Sequence, residues 1–157
     1  MRRSTVEVTA IGYVESPRTD VADTDRWGAV VARIQLVDTL GSAALVGLEE
    51  FSHVEVLFRF HQMTPRAHYR DLRRPRGRAD LPSVGIFAGR GPNRPNLIGA
   101  TICPLVEVGG TWLAVRGLDA VDGTPVVDLK PVMAELLPGD VRQPLWSHEL
   151  MREYFLD

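Results

Sequence analysis

GIFAGRGPNRPNLIG, residues 85–99, lies between two apolar runs, Val84 to Ala88 and a second that begins at Leu97. Pro92 and Pro95 fix φ and carry no N–H, so the stretch cannot propagate a helix and reads as a rigid loop between strands. Gly89 and Gly91 admit positive φ or the close approach of a ligand. Arg90, Asn93, Arg94 and Asn96 then offer donors from a stiff frame. Strand-like runs joined by such turn chemistry point the whole chain toward β structure.

The flanking segments agree. Val6 to Val14 is β-branched and stops at the turn former Ser16-Pro17. Ala29 to Val37 sets Arg33 and Gln35 in alternation with Ile34 and Leu36, the pattern of a half-buried strand. His53 to Phe60 sends Val54, Val56, Phe58 and Phe60 to one face and His53, Glu55, Leu57 and Arg59 to the other. Leu97 to Val108 predicts one or two strands broken near Pro104. Gly109-Gly110 makes a hairpin turn to a returning strand, Thr111 to Leu118. Pro125 to Leu129 follows beyond Asp122-Gly123. Helical signals are few. Ser42 to Glu50 predicts a short helix with Ser42 as N-cap. Leu145 to Phe155 places Trp146, Leu150 and Tyr154 four residues apart, a spacing for packing or dimer contacts. Many short strands with one minor helix predict a sandwich or barrel. The expectation is a single, mostly-β, barrel-like domain over residues 1–157 with a short C-terminal helix.

At 157 residues and 45% apolar content the chain can bury a core of its own. A net charge of -2 gives no global footprint for nucleic acid or anionic membrane. The charge is unevenly spread, however. Arg66, Arg70, Arg73, Arg74, Arg76 and Arg78 crowd one connection, and a connection of that length is a candidate functional segment. Cys103 is the only cysteine, which excludes a disulfide framework within the chain and fits a reducing compartment. Without an apolar signal core or a membrane-length run, a soluble, cytoplasmic protein is expected.

Several chemistries are poorly matched. Gly89-Arg-Gly91 after a strand invites a dinucleotide-binding reading, but Arg94 stands where the next glycine is required and Pro92 blocks the following helix. His53, His61, His68 and His148 are scattered, with no metal-ligand spacing. No Gly-x-Ser-x-Gly elbow occurs. Cys103 has no histidine partner and reads as a small buried residue. Ser52 and His53 are adjacent, so strand alternation directs them to opposite faces and both read as structural.

GIFAGRGPNRPNLIG, together with VRGLDAVDGTPVVDLKP at Val115 to Pro131, closely resembles the TsaA-like (TrmO-like, YaeB-like) methyltransferases. IGYVESP at Ile11 to Pro17 and GLEEFSHVEVLFRFH at Gly47 to His61 extend the likeness. The resemblance covers about residues 8–132, leaving 133–157 as a C-terminal extension. It implies a compact barrel-like fold, a homodimer and the cofactor S-adenosylmethionine. It further implies methylation of the exocyclic amino nitrogen of threonylcarbamoyl-adenosine, beside the anticodon of threonine tRNA.

Position by position, the family's cofactor contacts fall on His61 and Gln62, on Arg90, on Ala100, and on the turn Asp119, Ala120, Val121, Asp122, Gly123 and Thr124. Arg26 and Trp27 match an earlier contact segment loosely. An arginine can hold the cofactor's carboxylate as a bidentate partner, and Asp119 or Asp122 can accept from its diol or ammonium. Methyl transfer needs in-line positioning more than a covalent intermediate. Asp122 and His61 are the two candidates for a catalytic base. Asn93, Arg94 and Asn96 are assigned to the acceptor, and Arg73, Arg74 and Arg76 to tRNA phosphates. Plainer readings stand beside these: Asp122-Gly123 suffices as a hairpin turn, His61 as a surface histidine, and the arginine run as a solvated loop. The loop also departs from its relatives, with Gly89 for threonine, Gly91 for serine, Leu97 for proline and Ala100 for leucine. The chain stops at Asp157, short of the extra C-terminal domain of longer tRNA enzymes. A small-molecule acceptor, or a non-catalytic cofactor- or RNA-binding module, is therefore the alternative.

Overall fold

Period-two alternation becomes a closed barrel. The computed structural model describes residues 4–22, 24–65 and 71–157. Six strands, β1 (Gly12–Glu15), β2 (Val31–Leu36), β3 (His53–Arg59), β4 (Ile98–Val108), β5 (Trp112–Arg116) and β6 (Pro125–Pro131), precede one helix, α1 (Leu145–Met151). They close in the order β1-β2-β5-β4-β3-β6, and every neighbouring pair is antiparallel. Closure removes sheet edges and gives the alternating apolar residues a common interior. Val54, Val56 and Phe58 of β3 point inward against Ala32, Ile34 and Leu36 of β2 and Leu113 and Val115 of β5. Phe58 faces Gly99 across the β3–β4 pair, and a Cβ on Gly99 would lie 2.5 Å from its ring. The glycine thus lets a phenyl ring fill the barrel.

Several boundaries differ from the sequence expectation. Of Val6 to Val14, only the end from Gly12 joins the sheet. β2 finishes at Leu36, opposite Gly12, and among the described residues no strand pairs with the exposed Val6 and Val8. Residues 42–50 form two 3-10 turns, Ser42–Leu45 and Leu48–Glu50, and Gly47 with φ +89 ends any helical course between them. Gly41, not Ser42, is the N-cap, and no side chain caps it. Val84 makes one isolated bridge to Arg73, and Ile86–Ala88 is a 3-10 turn, so the run before the loop is not a strand. β4 runs through Pro104 unbroken. Ile98 to Pro104 pair with β3, and Leu105 onward with β5, so the missing N–H falls where pairing passes between neighbours. The helix near the C-terminus ends at Met151, short of Phe155.

Strand direction decides where the long connections go. β1, β3 and β5 end, and β2, β4 and β6 begin, at the same end of the barrel. The connections β1–β2, β3–β4 and β5–β6 therefore begin and end at one mouth. The other end carries 37–52 and the tight β4–β5 turn. Ser52 and His53 lie at that other end, where Ser52 Oγ and His53 Nδ1 are 2.8 Å apart. They meet because Ser52 precedes the strand and escapes its alternation.

Candidate functional site

The β5–β6 connection forms one wall of the mouth. The amide of Gly123, at φ +75, donates to Val14 O at 2.8 Å, and that of Asp122 to Arg18 O at 2.7 Å. Asp122 Oδ1 accepts from the Ser16 amide at 3.0 Å. Its carboxylate thus ties the exit of β1 to the turn. Thr124, buried, donates its hydroxyl to Val121 O at 2.7 Å. The amides of Ala120 and Val121 make no hydrogen bond to another described residue.

Asp119 is the polar centre of this wall. Thr101 of β4 donates its hydroxyl to Asp119 Oδ1, and Tyr154 donates its phenol to Asp119 Oδ2. Burial, then the adjacent Asp119 carboxylate, pushes the Tyr154 phenol far above its ordinary value, so it remains a donor. Burial and the same carboxylate push the Cys103 thiol up to about 12, which agrees with an inert core cysteine. A carboxylate offers about four lone-pair directions, so two hydroxyl donors leave Asp119 able to accept more.

Across from this turn, the end of β3 delivers His61. Its buried Nδ1 has no hydrogen-bond partner among the described residues. Its Nε2 lies 3.8 Å from where a Cβ on Gly123 would sit, so the histidine and the turn are neighbours. An unpartnered buried ring nitrogen is costly without a ligand or water to meet it. Gln62, beside it, is exposed.

The central loop meets the same rim. Arg90 donates to Ala100 O at 2.5 Å, one residue before Thr101. Arg94 is spent locally, on Gly89 O at 3.4 Å. Asn93 and Asn96 form no side-chain hydrogen bond among the described residues.

The β1–β2 connection is held by Arg18, which the sequence did not single out. Its guanidinium lies 4.4 Å over the Trp27 ring and donates to Asp25 O and Arg26 O. Trp27 is 3% exposed beneath it, so its indole packs the wall instead of offering a stacking face. Arg26 sits at φ +61, and its backbone N–H donates to Glu153 O at 2.9 Å.

The arginine-rich connection is largely committed to its own fold. Arg74 donates to Ala79 O and Leu81 O, at 2.7 and 2.6 Å. Arg76 forms a bidentate pair with Asp25 at 2.7 and 2.8 Å. Arg78 joins Asp80 and, at 2.6 Å, Glu149 of α1. The Arg73 amide bridges to Val84, and Arg73 also has an interaction within the fold. Arg66, Arg70 and His68 lie outside the described residues. Arg74 and Arg76 are thus each engaged within the fold.

The Arg76 hydrogen bonds hold the Asp25 carboxyl below its ordinary value near 3.8. A carboxyl depressed on folding adds stability above its unfolded pKa and loses it as pH falls through the folded one. Asp25→Asn is accordingly expected to lower the thermal midpoint at neutral pH, with the gap to the native chain closing in acid. Melts across a pH series check this, and a gap that persists unchanged in acid would refute it.

Most residues singled out in the sequence are brought to one mouth. Thr101, Arg18 and Tyr154 were missed. Tyr154 carried only a helical spacing, and its partner Asp119 lies 35 residues away. Among the described residues no helix is long and apolar enough to cross a membrane.

Residues 14–136 match the family model described as the tRNA-methyltransferase O N-terminal domain. A human tRNA (adenine(37)-N6)-methyltransferase is 41% identical over 108 residues, which are 68% of this chain and 24% of that protein. The chain thus spans about a quarter of that relative. A probable S-adenosyl-L-methionine-binding protein of Methanothermobacter thermautotrophicus is 36% identical over 134 residues, 83% of this chain and 93% of its own length. The crystal structure of TrmO from Pseudomonas aeruginosa superposes with a TM-score of 0.74 at 30% identity, covering 92% of this chain and 63% of that one.

Proposed function

The chain belongs to the tRNA-methyltransferase O N-terminal domain family, and from that premise we propose that it is an S-adenosylmethionine-dependent methyltransferase acting on the N6 nitrogen of adenine in tRNA. The finer reading places the acceptor at threonylcarbamoyl-adenosine beside the anticodon of threonine tRNA. A cytoplasmic homodimer belongs to the same reading. The observation that carries it is the convergence of His61, Arg90, Ala100 and Asp119 to Thr124 on one barrel mouth, with unspent polar groups among them.

The donor set suits this cofactor. Arg90 is the cation for its carboxylate, Asp119 the acceptor for its ammonium or diol, and the amides of Ala120 and Val121 suit an adenine edge. When bound, S-adenosylmethionine supplies an electrophilic methyl group on a sulfonium. Transfer to nitrogen would form the N–C bond from the nitrogen lone pair as the sulfur–methyl bond breaks, its electron pair staying on the neutral thioether, and would release the N–H proton. His61 Nδ1, buried and unpartnered, is placed to accept that proton. Asp122 is less suited, since one oxygen already holds the Ser16 amide. Asn93 and Asn96, uncommitted on the rim, orient the acceptor.

The test is labelled methyl transfer to tRNA drawn from cells with and without the threonylcarbamoyl modification. Label in the modified tRNA alone supports the finer reading. Label in neither, with transfer to a metabolite fraction, favours a small-molecule acceptor, the reading that the internal pairing of Arg76 and Arg78 supports. Arg90→Ala is expected to weaken S-adenosylmethionine binding by about 1.5–3 kcal/mol in calorimetric titration. Unchanged affinity removes Arg90 from the cofactor site.

A further inference from the structure

Residues 137–157 lie beyond the family match, yet part of them lines the candidate site. After α1 the chain runs along the β1–β2 connection. Arg26 N donates to Glu153 O at 2.9 Å, Trp27 N to Tyr154 O at 2.8 Å and Gly28 N to Leu156 O at 3.2 Å. The approach is close enough that a Cβ on Gly28 would sit 2.1 Å from Phe155 O. The Phe155 ring packs edge-on to Tyr154, centroids 4.9 Å apart, and lies 3.9 Å from the place of a Cβ on Gly117. The segment is therefore seated by backbone bonds and ring packing, and neither needs the Tyr154 hydroxyl.

That hydroxyl instead reaches Asp119 Oδ2, while Thr101 takes Oδ1. One donor on each oxygen fixes the plane of the carboxylate and leaves its remaining lone pairs in set directions. The phenol stays protonated because burial and the carboxylate both oppose its ionisation. Arg90 and Arg76 lie near enough to act on Tyr154 electrostatically, so the phenol stands among the groups of the mouth.

We propose that Tyr154 is a positioning residue for Asp119, and that segment 153–156 is a further wall of the methyl-donor site. This rests on the S-adenosylmethionine reading above. Asp119 is the cofactor contact. Tyr154 acts through it, so its loss weakens cofactor binding while leaving the chemical step largely intact.

Tyr154→Phe keeps the ring and deletes only the donor. It is expected to bind S-adenosylmethionine about tenfold more weakly, raising the cofactor KM by a similar factor with kcat nearly unchanged. The thermal midpoint without cofactor should move by no more than about 2 °C. Glu149→Gln, which cuts the Arg78 tie of α1 without touching Tyr154, serves as the structural comparison and should bind like the native chain. Native affinity in Tyr154→Phe overturns the proposal, whatever its thermal midpoint. Equal weakening in both variants also overturns it, since docking of the tail alone would then suffice. If the native chain binds no S-adenosylmethionine, the parent reading fails and takes this one with it. The native titration distinguishes that failure from the others.

Discussion

Asp119→Ala is expected to abolish measurable methyl transfer and to destabilise the barrel by about 3 kcal/mol. Two hydroxyl donors lose their acceptor at once. Thr101 is 7% exposed, so its hydroxyl has little water to turn to, and the half-buried Tyr154 phenol loses its partner. Each unmet buried donor costs about 1–3 kcal/mol, against about 1 kcal/mol for an ordinary hydrogen bond lost to water. For a chain of this size the fall in thermal midpoint is about 10 °C. The functional loss has a separate cause: the site forfeits its anionic contact for a cationic ligand, and the affinity should drop by about a hundredfold or more. Asp119→Asn separates the two effects. Its amide oxygen can still accept from one hydroxyl, so stability recovers in part, whereas the charge does not return. Cofactor binding in Asp119→Ala at native strength would show that the cluster is a structural knot and place the site elsewhere on the mouth.

The strands were legible because alternation is a local property. Ile34 and Leu36, and Val54, Val56 and Phe58, declare an inward face without reference to any partner. Closure was not legible to the same degree. The barrel shuts through Gly12 opposite Val126 and Tyr13 opposite Pro125, a short contact between segments more than a hundred residues apart. Pro104 misdirects for a related reason, since a missing N–H breaks a ladder only where a neighbour asks for it. In the site, the loop around Arg90 stood out because glycine, proline and charge occur together there in an unusual order, whereas Asp119 to Thr124 were singled out only through the family resemblance. Thr101 and Tyr154 did not stand out, because a hydroxyl has no local signature and gains its meaning from a carboxylate reached through the fold. The arginine crowding is visible along the chain, and so is Asp80 beside Arg78, but Asp25 and Glu149, which pair with Arg76 and Arg78, come from distant segments.

Gly28→Ala tests the docking of the tail without altering any polar group. The added methyl would stand 2.1 Å from Phe155 O, a backbone atom that no side-chain rotation can move aside. Either the β1–β2 connection shifts, against the Arg18–Trp27 stack, or segment 153–156 lifts away. Lifting is the less costly course, since Trp27 is buried and the segment lies at the surface. It forfeits the bonds from Arg26, Trp27 and Gly28 and the phenol contact with Asp119, about 4 kcal/mol in all at roughly 1 kcal/mol net for each ordinary bond. Hydrogen exchange should then report lost protection at the amides of residues 26–28, with the strands of the barrel unaffected. Cofactor affinity should fall at least as far as in Tyr154→Phe, because the variant removes the same donor together with the wall that carries it. Retained protection at those amides would mean that the connection yields instead. Lost protection with native affinity would mean that the tail covers the mouth without serving it.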